Sequence, residues 1–391
     1  MKILGIETSC DETAVAIVEG KGGLKAPYFK LLGHAIYSQV AIHEQYGGVF
    51  PMLAKREHSK NLVPLLEKAL KEAKMLGRPA KSKKAPPEMQ KKIRALLERE
   101  PELAESFLAL LPAIPRPKID AIAVTVGPGL EPALWVGVNF AKALSIFWNL
   151  PVIPSNHMEG HIVSVLLPEK KSRPESVSFP AVSLLISGGH TELVLVKAWA
   201  NYRIIGETRD DAVGEAFDKV ARMLGLPYPG GPHISKLAEE DRKRRPKSAW
   251  KLPRPMIGTD DFDFSFSGLK TAVLYSVKNL PDLDKDSVRG LAREFEDAAT
   301  EVLVAKTRKA IEKFGAKSLI LGGGVTANAR IRHAFKALAA DFPGLKLFLP
   351  APSLSTDNAV MIAITGFIEA AKSRKLSLSR TFKADGNLKL S

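Results

Sequence analysis

Gly5-Ile-Glu-Thr-Ser-Cys-Asp-Glu-Thr-Ala-Val-Ala-Ile-Val18 and Leu184-Leu-Ile-Ser-Gly-Gly-His-Thr-Glu-Leu-Val-Leu-Val196 share one plan. Each is an apolar run, a tight turn of small or polar residues, and a second apolar run, which is the pattern of a strand pair. The first pair spans 2–8 and 13–19 and the second spans 179–196. The segments downstream of the two pairs are also alike. After the first come a candidate third strand at 31–39, a helical pattern from Pro51 to Met75, a buried strand at 119–126, a helix at 133–149, a strand at 151–156 and a helix from His157. After the second come Arg203-Ile-Ile-Gly-Glu-Thr-Arg209, a helix at 212–225, a strand at 316–324 running into glycines, a helix from about Thr326 and a last helix at 355–372. Ser355 or Thr356 is the expected N-cap of that last helix. The chain therefore reads as a duplicated α/β unit. It divides into a lobe at 1–154, a lobe at 155–372 and a basic tail at 373–391, with a cleft between the lobes. Residues 77–117, rich in Lys, Pro and Glu, read as an inserted arm with one short helix near 88–110.

Composition narrows the class. The 391 residues are 45% hydrophobic and 25% charged, which is globular and enough for two cores. The single cysteine, Cys10, permits no internal disulfide and points to a reducing compartment. The opening run lacks the plan of a leader, and no stretch of about 18 apolar residues suggests a membrane span. The expectation is a cytoplasmic protein with no membrane association. The net charge of +15 is clustered. Residues 74–94 carry eight Lys/Arg against Glu88, and 241–254 carry seven against Asp241, with Trp250 among them. Such runs suit phosphate contact and base stacking, although a solvated loop has the same composition.

Three constellations carry chemistry. His157 and His161 are an i,i+4 pair, so both imidazoles reach one face of a helix and one metal ion, though two surface histidines would have the same spacing. Asp357, at the start of the last helix, is a third oxygen ligand or merely a cap. Glu159 sits two residues after His157, roughly 200° round the helix, unlike the glutamate of H-E-x-x-H peptidases. The second constellation is glycine-rich: Ser187-Gly-Gly189, Tyr228-Pro-Gly-Gly231 and Gly322-Gly-Gly324. These leave backbone open to a ligand but match neither G-x-G-x-x-G nor the P-loop. The third is Asp210-Asp-Ala-Val-Gly-Glu-Ala-Phe-Asp-Lys219, where Glu215 and Asp218 share a helix face, as ribose partners or as a solvated surface.

With Tyr46-Gly-Gly-Val-Phe-Pro51, the Asn156-to-His161 run, Phe264-Ser-Phe-Ser-Gly-Leu-Lys-Thr-Ala272, Gly322-to-Asn328 and Ser355-to-Ala363, these segments resemble the TsaD-type tRNA adenosine threonylcarbamoyltransferases. The likeness runs in order from residue 1 to about 372, and Ser9-Cys-Asp-Glu-Thr13 is similar to the bacterial and organellar branch. The resemblance implies an actin/Hsp70/sugar-kinase (ASKHA) fold. It implies transfer of threonylcarbamoyl from L-threonylcarbamoyladenylate to N6 of adenosine 37 in tRNAs that read ANN codons, giving t6A and AMP. It also implies a divalent metal (Fe2+ or Zn2+), a non-catalytic TsaB-like paralogue, a small TsaE-like P-loop ATPase and an upstream enzyme that makes the adenylate. Carried over by motif, His157, His161 and Asp357 hold the metal. Leu185, Ile186, Ser187, Gly188, Gly189, Asp218, Gly231 and Asn328 hold the adenylate. Asp11 is nearest the reacting carbonyl, and Glu12 is a weaker candidate.

The donor is an activated anhydride, so no side-chain nucleophile is required of Cys10. Met52 stands where the family has an acidic residue, and Glu131-Pro132 replaces a small-residue turn. A metalloendopeptidase is disfavoured by the position of Glu159. A kinase of the same fold is disfavoured because such enzymes hold Mg2+ mainly through phosphate, carboxylate and water. A non-catalytic binding subunit is disfavoured by the complete motifs.

Overall fold

The protein, seen in a computed structural model, is described for residues 1–77, 85–167, 176–373, 378 and 381–390. Its strands are β1 Lys2–Glu7, β2 Glu12–Lys21, β3 Tyr28–Ser38, β4 Ala121–Gly127, β5 Val152–Asn156, β6 Ala181–Ile186, β7 Thr191–Ala198, β8 Asn201–Glu207, β9 Ser318–Gly322 and β10 Lys346–Phe348. Its helices are α1 Val40–His43, α2 Pro51–Glu72, α3 Pro87–Leu96, α4 Pro101–Leu110, α5 Glu131–Trp148, α6 His157–Val163, α7 Val213–Met223, α8 Gly230–Arg244, α9 Ser267–Lys278, α10 Lys285–Phe314, α11 Ala329–Ala340 and α12 Ala359–Ser373. None of the described helices is long and apolar enough to cross a membrane.

The strands form two five-stranded sheets of identical topology. One has the order β3-β2-β1-β4-β5 and the other β8-β7-β6-β9-β10. In both, the first three strands are antiparallel neighbours and the last two join in parallel. This is the duplicated unit of the ASKHA fold. The central strands explain themselves: every residue of β4 and of β6 is buried, as expected of apolar runs covered on both faces.

The chain divides into Met1–Pro174 with Asp357–Leu390, and Glu175–Thr356. A boundary at 154/155 is therefore displaced. α6 stays with the first sheet because α12 returns to it. Gly5 of β1 admits that return, since a Cβ there would lie 2.1 Å from the Ala359 carbonyl oxygen. The expected cap of the last helix also moves. Asn358 accepts from the Met361 N–H at 3.1 Å, while the Ser355 hydroxyl donates to the Ala351 carbonyl.

Two segments read as appendages belong to the first core. The arm folds into α3 and α4, and Ile93, Leu97, Leu103, Phe107 and Leu111 are fully buried in it. Residues 78–84 of the arm lie outside the described residues. The tail is not free over 381–390. Phe382 and Leu388 pack on the core, and the Asp385 N–H donates to the Val126 carbonyl at 2.8 Å.

Candidate functional site

α6 begins where β5 ends, and Asn156 fixes the start: its side-chain oxygen accepts from the N–H groups of Met158 and Glu159. The same amide donates to the Lys389 carbonyl of the tail at 3.3 Å. The i,i+4 spacing then sets the imidazoles of His157 and His161 edge to face, with ring centroids 4.7 Å apart and planes at 84°. Asp357 is placed just before the cap of α12. Its Oδ1 lies 3.4 Å from His157 Nε2 and 3.2 Å from His161 Nε2. One ligand atom from each residue falls within 4.8 Å of the others.

These residues fit a cation. Both histidines are buried, and Nδ1 of His161 has no hydrogen-bond partner among the described residues, while its Nε2 faces Asp357 without hydrogen-bond geometry. An unpartnered buried imidazole is costly, and a metal ion satisfies it. Burial alone would lower the proton affinity of His157, but the Asp357 and Glu7 carboxylates outweigh it and hold the ring well above the usual range. Burial likewise opposes ionisation of Asp357, but His157 and His161 bring it well below the usual carboxylate range. The pocket thus favours positive charge.

The β1–β2 turn brings three more groups to the same unit. Asp11 is nearly buried, and its backbone carbonyl accepts from the Gln39 N–H at 2.9 Å. Burial first, then the charges of Asp11 and Asp357, raise Glu12 well above a normal carboxylate. Burial, followed by Asp11, Asp357 and Glu12, pushes the Cys10 thiol up, so Cys10 is a poor thiolate. His58, from the long helix α2, supports this turn. Its Nε2 donates to the Cys10 carbonyl at 3.0 Å and its Nδ1 meets the Thr13 hydroxyl at 2.7 Å.

In the second unit the turn Ser187–His190 links β6 to β7 and is closed by the Ser187 N–H donating to the His190 carbonyl at 2.9 Å. Gly188 and Gly189 are exposed there, with nothing within 4 Å of where a Cβ would stand and no left-handed φ. Gly231 has the same freedom. Neither packing nor backbone conformation requires glycine at these three positions, so the space they leave is available to a ligand. Leu185 and Ile186 are fully buried strand residues, so only their backbone borders the turn. Asp218 accepts from the Gly230 N–H at 2.7 Å and so ties α7 to the start of α8. Asn328 caps α11 by accepting from the Ile331 N–H, and its amide donates to Ser235 Oγ and Glu296 Oε1. Glu215, three residues before Asp218 on the same helix, pairs with Lys219 at 2.8 Å.

The TsaD family, described as tRNA N6-adenosine threonylcarbamoyltransferase, matches residues 30–78 and 93–364. The chain belongs to that family. A tRNA N6-adenosine threonylcarbamoyltransferase of Persephonella marina is 43% identical over 370 residues, covering 94% of this chain and 90% of that one. A protein of the same name from Aromatoleum aromaticum is 41% identical over 375 residues, covering 96% and 93%. Among solved structures, full-length HypF in its phosphate- and nucleotide-bound form superposes with a TM-score of 0.52 at 12% identity. That match covers 96% of this chain and 47% of HypF, and it speaks to the fold alone.

The stretch between the two matched segments, 79–92, coincides with the start of the arm. Both departures from the family pattern border that arm. Met52, exposed at the start of α2, and Glu131, which accepts from Trp135 Nε1 at 3.4 Å, line one cavity of about 610 Å3 with Arg99 and Glu100. Neither is among the proposed ligand residues.

The sequence reading missed Glu7, His58 and the partners of the 242–245 arginines. Arg242 is held by Glu296 at 2.7 Å and Asp297 at 2.8 Å, and Arg244 and Arg245 both pair with Asp286. The Trp250 ring lies against Gly290 of α10 rather than standing free for a base.

Proposed function

We propose that this chain transfers the threonylcarbamoyl group from L-threonylcarbamoyladenylate to N6 of adenosine 37 in tRNAs reading ANN codons. The N6 amine attacks the carbamoyl carbon, the bond to the phosphate oxygen breaks, AMP leaves, and N6 gives up one proton. The observation that carries this reading is the convergence of His157, His161 and Asp357 in a buried, cation-favouring pocket of a chain that belongs to this family.

His157, His161 and Asp357 would hold one divalent metal, Fe2+ or Zn2+. When bound, that ion supplies positive charge that orients the donor and stabilises charge developing on its oxygens. The remaining work falls to the chain itself. The exposed amides of Gly188 and Gly189 offer donors to the phosphate on the turn that Ser187 closes, as a turn of free N–H groups does. Asp218 and Asn328 hold the nucleoside, Asp218 through the ribose, and Gly231 leaves room for it. Asp11 orients the attacking amine and accepts its proton. The neutral Cys10 takes no covalent part. The adenylate comes from an upstream enzyme, and turnover engages a TsaB-like paralogue and a TsaE-like ATPase in the cytoplasm.

The test is mass analysis of tRNA nucleosides after incubating the metal-loaded protein with tRNA, threonylcarbamoyladenylate and both helper proteins. N6-threonylcarbamoyladenosine is the expected product. Unmodified adenosine under those complete conditions rejects the reading.

A further inference from the structure

The two histidines of the metal cluster are not equivalent. Nδ1 of His157 lies 3.1 Å from Oε2 of Glu7 and 3.2 Å from the Ser9 hydroxyl. Nδ1 of His161 has no hydrogen-bond partner among the described residues. Glu7 is the last residue of β1 and is wholly buried. Its other contacts leave it little freedom: Oε1 accepts from the Ser9 N–H at 2.6 Å, and Oε2 also accepts from the Thr125 hydroxyl at 2.7 Å. Thr125 lies on the neighbouring parallel strand β4 and is also buried.

We propose that Glu7 is a positioning residue that orients His157 for the metal, with Thr125 fixing Glu7 in turn. A carboxylate only accepts, so the Nδ1 atom facing it carries a hydrogen, and once the ion displaces the second ring proton it is Nε2, beside Asp357, whose lone pair is presented to the metal. The carboxylate also sets the plane of the ring. His161 has no carboxylate at its Nδ1 among the described residues, so the side chain that β1 contributes acts through one ligand only. This role rests on the metal reading, and the experiment separates the two.

Glu7→Gln distinguishes orientation from space-filling, since its shape is unchanged. With the amide nitrogen toward Ser9, two donors oppose each other. With it toward Thr125 and His157, the imidazole must accept at Nδ1, which moves its hydrogen to Nε2, the metal face. The first orientation keeps the ligating tautomer only at the cost of that clash, and the second disfavours the ligating tautomer itself, so both weaken metal binding. Cobalt(II) is the probe, titrated against the metal-free wild type, Glu7→Gln and Thr125→Val, with circular dichroism recording the fold of each.

Glu7→Gln is expected to weaken cobalt binding on the order of tenfold to hundredfold, and Thr125→Val less. Both should change the cobalt visible spectrum. Wild-type protein that binds no cobalt defeats the metal reading itself. Wild-type affinity in a folded Glu7→Gln overturns the positioning role. So does wild-type affinity in Thr125→Val, should Glu7→Gln fail to fold. A lowered melting temperature with unchanged cobalt affinity marks Glu7 as merely structural and also overturns it.

Discussion

The two sheets are built alike, and the turn after the first strand of each has four residues, 8–11 in one and 187–190 in the other. The first turn is crowded with side chains. Ser9, Cys10, Asp11 and the adjoining Glu12 sit among Glu7, His58, His157 and Asp357, in a region that burial and mutual charge keep under electrostatic tension. The second turn is nearly bare, with two glycines that nothing in the fold demands. On the proposed reading, one scaffold serves two kinds of recognition. A buried set of carboxylates and imidazoles with incomplete internal pairing would suit a cation, whereas exposed amides without side chains would suit an anion. The difference teaches that glycine is informative where packing does not require it, and a buried carboxylate where the protein supplies no full counter-charge.

The sharpest way to break this comparison is to remove the cation site. Replacing His157 and His161 together with Ala should abolish metal retention while adenylate binding by the second unit persists. Metal content measured by mass spectrometry after dialysis is the check, and an unchanged content in the double variant sinks the assignment.

A large effect on the first turn should also appear with pH. Burial, the dominant influence, pushes His58 down to about 4, below the ordinary 6.5 of a free histidine. The unfolded chain therefore takes up a proton between those values while the folded chain does not, so stability is full above pH 6.5 and falls as pH drops toward 4. A gap of this size is worth roughly 3 kcal/mol at most. Urea unfolding of metal-free protein between pH 7 and pH 4.5 should show the loss, and His58→Gln should flatten it. Parallel curves for the two proteins would mean His58 is not held neutral against the turn.

On the second turn, adding bulk should cost binding but not folding. Gly188→Val or Gly189→Val should leave stability within about 0.5 kcal/mol, since the new side chain enters open space. It should weaken adenylate binding on the order of tenfold to hundredfold, about 1.4–2.7 kcal/mol. Asp218→Ala gives the contrasting outcome. It loses affinity by about tenfold and stability by about 1 kcal/mol, because it also leaves the Gly230 N–H uncapped. Calorimetry and melting curves on the same samples decide. Destabilised glycine variants with normal affinity would reverse the interpretation of the bare turn.

Sequence was a good guide where local chemistry repeats and a poor one where distant residues meet. The duplicated turns and the i,i+4 histidines were legible because spacing along one element places them, whereas Asp357, before a different helix, was a ligand or a cap until the family resemblance joined it to them. The arm was not. Its Lys and Pro content hid the leucines and Phe107 that join the core from α3 and α4. The 30-residue α10 was equally obscured, because its buried face includes Arg293, Glu294, Glu296 and Lys306, which break the apolar period. Glu7 looks like any strand residue until β4 and α6 bring Thr125 and His157 to it.

The smallest expected effect concerns the basic segment 241–254, where sequence and structure pull furthest apart. Read as a string, it offers seven positive charges to tRNA. In the fold, Arg242, Arg244, Arg245 and Arg254 are engaged by acids of α10, and Lys243 pairs with Glu239 of its own helix. Arg242 faces Glu296, which is fully buried, so its removal would strand a buried carboxylate and read out as lost stability rather than lost tRNA contact. Lys247 and Lys251 are exposed and have no ion-pair partner among the described residues. If this face contacts phosphates, those two lysines carry the contact. Each neutralised phosphate contributes roughly 0.7–0.9 to the slope of log affinity against log salt, so Lys247→Ala with Lys251→Ala should flatten that slope by about 1.5. Arg242→Ala should leave it nearly unchanged while lowering the melting temperature. Paired salt titrations of tRNA binding test this directly. Equal slopes for wild type and the double lysine variant would show that the segment is a self-neutralised structural element and that tRNA is gripped elsewhere.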